Sequence, residues 1–142
     1  MKKSTDDLMK ILRSKDDVDD YFDECDNEIF FGGLSELINY FMAKKGLEKN
    51  SVVKKSGLSR GYAYEIINGK SDKVYSRDKV IMMCFGLELT VDEAQQMLKK
   101  GGYAPLYARD TRDSIIIFSI EHKISVINTN IKLAEYNLNE LK

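Results

Sequence analysis

The feature that most constrains this chain is a series of glycines set between short apolar stripes. Leu34, Leu37, Ile38, Phe41 and Met42 recur at helical spacing and stop at Gly46. Val52 and Val53 stop at Gly57, and Leu58, Ala63, Ile66 and Ile67 stop at Gly69. Val80, Ile81, Cys84 and Phe85 stop at Gly86, and Val91, Ala94, Met97 and Leu98 stop at Gly101. Steps of three and four mark one face of an α-helix, and a glycine after such a stripe ends it, because glycine accepts the left-handed backbone of a helix terminus. Ser76 stands where a cap for the fourth helix belongs, and Thr90 with Glu93 spells a capping box for the fifth. Five helices packed into roughly 70 residues predict a compact all-α core over residues 34–101.

Helices are also expected on both sides of that core. Ser4 and Thr5, then Asp6 and Asp7, precede Leu8, Ile11 and Leu12, which predicts a short capped helix whose acids suit its dipole. The acidic stretch that follows carries Val18, Tyr21, Phe22, Cys25 and Ile29 at helical steps, so it reads as an amphipathic helix rather than a tail. Gly32 and Gly33 then break the pattern, dividing an N-terminal segment, 1–33, from the core. Beyond the core, residues 102–142 form an extension. The only proline, Pro105, sits in a turn whose Tyr103, Leu106 and Tyr107 should pack back. The run around Ile115, Ile116 and Ile117 fits a buried strand as well as a helix, and helix is chosen because nothing else in the chain could pair with a lone strand. After Ser125, a cap, the stripe Ile127, Ile131, Ala134, Leu138 and Leu141 needs a partner: the domain itself or a second copy of the chain.

Charge is distributed unevenly although the net value is −1. Residues 1–30 hold five basic against ten acidic side chains, residues 31–104 twelve against eight, and residues 105–142 five against five; within residues 44–79 the count is ten against four. A basic middle behind an acidic front points to an anionic partner for the middle alone. At 142 residues the chain can bury a real core without staples. Cys25 and Cys84 lie in apolar stripes without metal-ligand spacing and read as buried thiols, which suits a reducing, cytoplasmic setting. The acidic N-terminus lacks the apolar run of a signal peptide, and the cluster ending at Ile120 is too short to span a bilayer.

The basic middle contains the tightest piece of local grammar. In residues 49–68, KNSVVKKSGLSRGYAYEIIN, a glycine, an apolar residue and a serine separate two helical patterns, which is how a helix-to-helix corner is written. Advancing 100° per residue from Arg60 puts Ala63, Ile66 and Ile67 at about 300°, 240° and 340°, and Tyr64, Asn68, Gly61 and Glu65 at about 40°, 80°, 100° and 140°. One face holds this helix down and the other, from Arg60 to Glu65, looks away. Tyr62, at about 200°, lies on the boundary.

With Gly57 at the turn, Leu58 after it, Ala63 and Ile66 inward and Asn68 at the end, followed by Gly69 and Lys70, the stretch resembles the phage-repressor helix-turn-helix of the Cro-like or XRE family of bacterial transcription regulators. The resemblance covers roughly residues 34–100. It departs from the family pattern at Val53, where a small residue is usual, and in the long proline-free link KSDKVYSRDK. It implies double-stranded DNA as partner, a homodimer, and a helix, residues 59–68, in the major groove. In that role Arg60 would take guanine O6 and N7, Gly61 would permit close approach, and Tyr64 would touch a thymine methyl or a phosphate. Lys49, Asn50 and Ser51 at the start of the bracing helix, with Asn68, Lys70 and Lys73 beyond the second, would hold phosphates, and Ser59 belongs to the same DNA-binding set. Glu65 would accept from cytosine N4, or serve only as a solvated or pairing carboxylate.

Other classes have less to stand on. The single histidine, His122, has no nucleophile beside it, and there is no phosphate-cradling glycine motif and no metal-ligand cluster, so neither catalysis nor a cofactor is expected. The alternative function is a protein-interaction adaptor or antitoxin-like module that keeps the fold without reading DNA. The acidic residues 1–30 are either an extra helical layer or a segment that lies near the basic surface until a regulatory protein partner displaces it.

Overall fold

A computed structural model describes residues 4–24, 33–69 and 73–142. Every regular element among them is a helix: α1 (Thr5–Ser14), α2 (Val18–Glu24), α3 (Leu34–Lys45), α4 (Lys49–Ser56), α5 (Arg60–Asn68), α6 (Arg77–Gly86), α7 (Val91–Lys100), α8 (Thr111–Glu121) and α9 (Val126–Glu135). The protein is therefore all-α. The chain divides into two compact units, Met1–Gly32 and Gly33–Lys142.

In the first unit Ser4 caps α1, its Oγ accepting from the Asp7 amide at 3.1 Å, and Asp6 and Asp7 occupy the positive end of the helix. Leu8, Ile11 and Leu12 are half-buried. On α2 Tyr21 is buried and its ring is tilted against that of Phe22, with ring centres 5.9 Å apart. Val18, expected on the inner stripe, is half exposed at 50%, since it opens the helix at N1 where no earlier turn covers it. Cys25 and Ile29 lie outside the described residues.

The second unit is built around α6. The residues from Val80 to Cys84 are all no more than 4% exposed, so this helix is buried all round instead of along one stripe. It packs on α4 and α7; α3 packs on α5 and α7, and α8 on α7 and α9. Gly86 is the last residue of α6, as expected, but it does not take the left-handed backbone. A Cβ there would stand 2.5 Å from the Val52 carbonyl oxygen and 3.0 Å from Ser56 Cβ, so this glycine lets α4 approach α6 closely. Leu87 is the C-cap, and Glu88 takes the left-handed position at φ 52°.

Two Arg-Asp dipeptides tie the C-terminal helices to this core. Arg77 donates both terminal nitrogens to Asp113 at 3.0 Å, with Nε on Ala104 O and Nη2 on Pro105 O. Arg112 grips Asp78 at 3.0 and 2.9 Å and reaches the carbonyls of Asn139 and Glu140. Each dipeptide thus completes the other, at the starts of α6 and α8. Burial pushes the Asp113 carboxyl up, but hydrogen bonds from Arg77 and the Tyr107 amide, with the charges of Arg77 and Arg112, outweigh it and hold the group below the ordinary carboxylate value. Nothing in the sequence pattern pointed to this clasp.

On α9 the expected stripe is turned the wrong way. Val126, Thr129 and Leu133 are buried, whereas Ile127, Ile131 and Ala134 are exposed, the isoleucines at 72% and 53%. Thr129 can face the core because its hydroxyl donates to Ser125 O at 2.7 Å, which satisfies it in place. The domain itself is therefore not what the stripe packs on within α9; beyond the helix, Leu138 is half-buried and Leu141 buried.

Candidate nucleic-acid interface

The corner between α4 and α5 is built from two local signals and one distant one. Gly57 takes φ +73°, and a Cβ on it would also meet Val126 Cγ1 at 3.1 Å, so the turn is pressed against the start of α9. Ser59 then caps α5, its Oγ accepting from the Tyr62 amide at 3.3 Å. Ala63, Ile66 and Ile67 are at most 2% exposed and hold the helix down. At the far end Ser35 and Asn39 of α3 both donate to Ile67 O, at 2.6 and 2.9 Å, closing a C-terminus whose carbonyls would otherwise be orphaned.

The outward face brings most of the expected residues together. Tyr64 Oη donates to Asn50 Oδ1 at 2.6 Å, and Lys49 Nζ donates to Asn68 Oδ1 at 2.7 Å, so α4 and α5 are stitched by polar side chains at the solvent edge. Tyr64 is flanked by two cations, Lys49 Nζ 5.0 Å and the Arg60 guanidinium 5.4 Å from its ring centre. Each such contact is worth about 0.5–1 kcal/mol when exposed, enough to bias the side chains without immobilising them. Arg60 has no carboxylate partner among the described residues. Helix α4 has no acid in its first turn and no side-chain cap bond at Glu48, so its first amides, those of Lys49, Asn50 and Ser51, have no cap from that side chain.

Gly61 is exposed and a Cβ added there would meet nothing within 4 Å. The fold gives no reason for a glycine inside α5, where it costs about 0.5–1 kcal/mol against alanine.

Glu65 is half-buried with its carboxylate 3.9 Å from Lys73 Nζ, which offsets its charge on this face. Lys73 also stands 4.8 Å from the Tyr62 ring centre, and Lys79 stands 4.6 Å from it. Tyr62, ambiguous on the helical wheel, is half-buried and packs edge-on to Tyr75 at 5.7 Å. Lys79 was missed as an interface candidate; its position inside the basic segment 44–79 was the available signal. Ser51 lines a groove beside α4. Lys70 lies outside the described residues. His122 stacks on Phe118, ring centres 4.0 Å apart, at the exposed end of α8.

No protein-family model, curated protein or solved structure matches the chain. Among the described residues no group of His, Cys, Asp or Glu is arranged to hold a metal ion, and no helix is long and apolar enough to cross a membrane. Cys84 is a free, fully buried thiol, and burial pushes its pKa far above the usual value, so it is no nucleophile. What the surface around α5 can do chemically is present guanidinium, ammonium, amide and phenol groups together.

Proposed function

We propose that this chain is a sequence-specific regulator of the phage-repressor helix-turn-helix type that binds double-stranded DNA. Residues 59–68 enter the major groove and repression follows from occupancy. The observation that carries the reading is the face shared by α4 and α5. Lys49, Asn50, Arg60, Tyr64 and Asn68 meet there, and Gly61, which the fold does not require, leaves the helix backbone open to close approach. Arg60 supplies base recognition, and Lys49, Asn50, Ser51, Lys73 and Lys70 supply phosphate contacts. The reading assigns no catalysis and no cofactor. It expects a homodimer on half-sites about 34 Å apart, for which exposed Ile127 and Ile131 offer an apolar face.

The test is a mobility shift on fragments of the native genome at several salt concentrations. A protein neutralising several phosphates loses affinity steeply as salt rises. Absence of binding at ~50 mM salt would shift the assignment to an adaptor or antitoxin-like partner, for which the same exposed isoleucines would serve. Removing residues 1–30 from the chain separates two roles for its acidic front: tighter operator binding at fixed salt supports autoinhibition, and unchanged binding by a folded variant leaves these residues as an extra layer.

A further inference from the structure

Between α4, the end of α6 and the turn from α8 to α9 lies a groove of about 670 Å³, within the range of small-molecule sites. Its floor is apolar: Leu89 and Ile120 are buried and Phe85 and Ile124 half-buried. This is why Phe85, alone among the large side chains of α6 after Lys79, is incompletely covered. The rim is cationic. Lys54 and Lys123 are exposed and have no carboxylate partner among the described residues, while Glu88, the one acid on the lining, is taken by Lys55 at 2.9 Å.

The backbone adds to that field. Helices α4 and α9 start beside the groove without an acid in their first turns, although Glu48 stands at the N-cap of α4 and Ser125 caps α9. Helices α6 and α8 end beside it, but the amides of Leu89 and Ile124 bond to the carbonyls of Cys84 and Ser119. Glu88 and Lys123 hold the left-handed positions after those helix ends, φ 52° and 57°, which glycine takes at less cost. A second copy related by a two-fold axis through the groove would set this cationic rim against itself.

We propose that the groove binds a small amphipathic anion, with an apolar body on Phe85, Leu89, Ile120 and Ile124 and an anionic head held by Lys54 and Lys123. Asn50 and Ser51 border the same groove, and Val126 connects it to the corner glycine, Gly57. Resting on the function proposed above, a bound anion adds negative charge beside the phosphate contacts of α4 and weakens DNA binding, and DNA weakens the ligand by the same factor.

Binding is measured first on the full chain without DNA, so the groove and the DNA reading fail separately. Anilinonaphthalene sulfonate should bind with enhanced fluorescence and be displaced by decanoate, while decanol, the neutral counterpart, requires a concentration about tenfold higher. The double variant Lys54→Glu, Lys123→Glu changes two exposed side chains and should fold as the parent does, by circular dichroism and urea midpoint, yet bind decanoate about tenfold more weakly. Equal affinity for decanoate and decanol overturns the proposal, as does full decanoate binding by the variant. A dimer whose formation excludes the probe overturns it too, and gives the groove to a second copy. In the DNA arm, decanoate should weaken the mobility shift of the parent and leave that of the double variant unchanged.

Discussion

Helices α5 and α6 begin alike, with a serine cap followed by arginine: Ser59 and Arg60 in one, Ser76 and Arg77 in the other. The caps are nearly the same, Oγ accepting from the amide three residues on at 3.3 Å and 3.2 Å. An arginine in the first turn opposes the helix dipole in both, at a cost of about 0.3–1 kcal/mol. The next residue separates them, Gly61 in α5 and Asp78 in α6. Around Arg77 the fold supplies Asp113, two backbone carbonyls and the neighbouring Asp78 with its own partner Arg112. Around Arg60 it supplies one aromatic ring. The first arginine fastens the C-terminal helices to the core. The second is kept on the surface at a small cost to stability, the place that the proposed base contact requires.

The largest expected effect breaks the fastened side. Asp113→Asn leaves the Arg77 guanidinium without its carboxylate in a site where the Asp113 side chain is only 8% exposed; removing one partner of a buried pair should lower unfolding stability by about 3 kcal/mol, read from the urea midpoint. The pH dependence follows from the same group. Its folded pKa is depressed, so its contribution is present above the unfolded value near 3.9 and is lost as pH falls through the folded value. Stability of the parent should therefore fall on acidification below about pH 4 more steeply than that of Asp113→Asn. Parallel acid profiles would mean that the clasp does not depend on this charge.

Arg60→Ala addresses the other side and should separate the two properties. Stability should change by no more than about 0.5 kcal/mol, while discrimination among DNA sequences should drop by about 1–3 kcal/mol, more than non-specific affinity does. Equal losses on all sequences would make Arg60 a phosphate contact. The caps come next: Ser59→Ala and Ser76→Ala should each cost about 1 kcal/mol of stability, and similar values would show that the difference between the helices arises after the cap. The smallest effect has the most telling sign. Gly61→Ala has open space and a helical backbone, so it should raise stability by about 0.5–1 kcal/mol while weakening DNA binding. Gain of both stability and affinity would refute close approach at this position.

Much of the helical layout was legible because its signals are local. Ser4, Ser59, Ser76, Thr90 and Ser125 each bond the amide three residues on, and Gly46, Gly57 and Gly69 each adopt the left-handed turn that the pattern demanded. Faces were harder. The inward stripe of α5 came out as Ala63, Ile66 and Ile67, yet α9 turned Ile127 and Ile131 to solvent, since a threonine bonded to its own turn competes with isoleucine for an inward position and hydropathy does not register that. Gly86 was visible as a glycine but not as the contact that admits α4.

By itself the sequence determined where most helices of residues 34–101 start and stop and which residues of α5 share a face, because capping, glycine turns and the 3.6-residue period act within a few positions. The tertiary structure decided the rest. It set which of two identically placed arginines meets a carboxylate 36 positions away, and it joined Tyr64 to Asn50 across 14 residues. It also opened an apolar groove beside the corner. These depend on distances between helices, which no local pattern encodes.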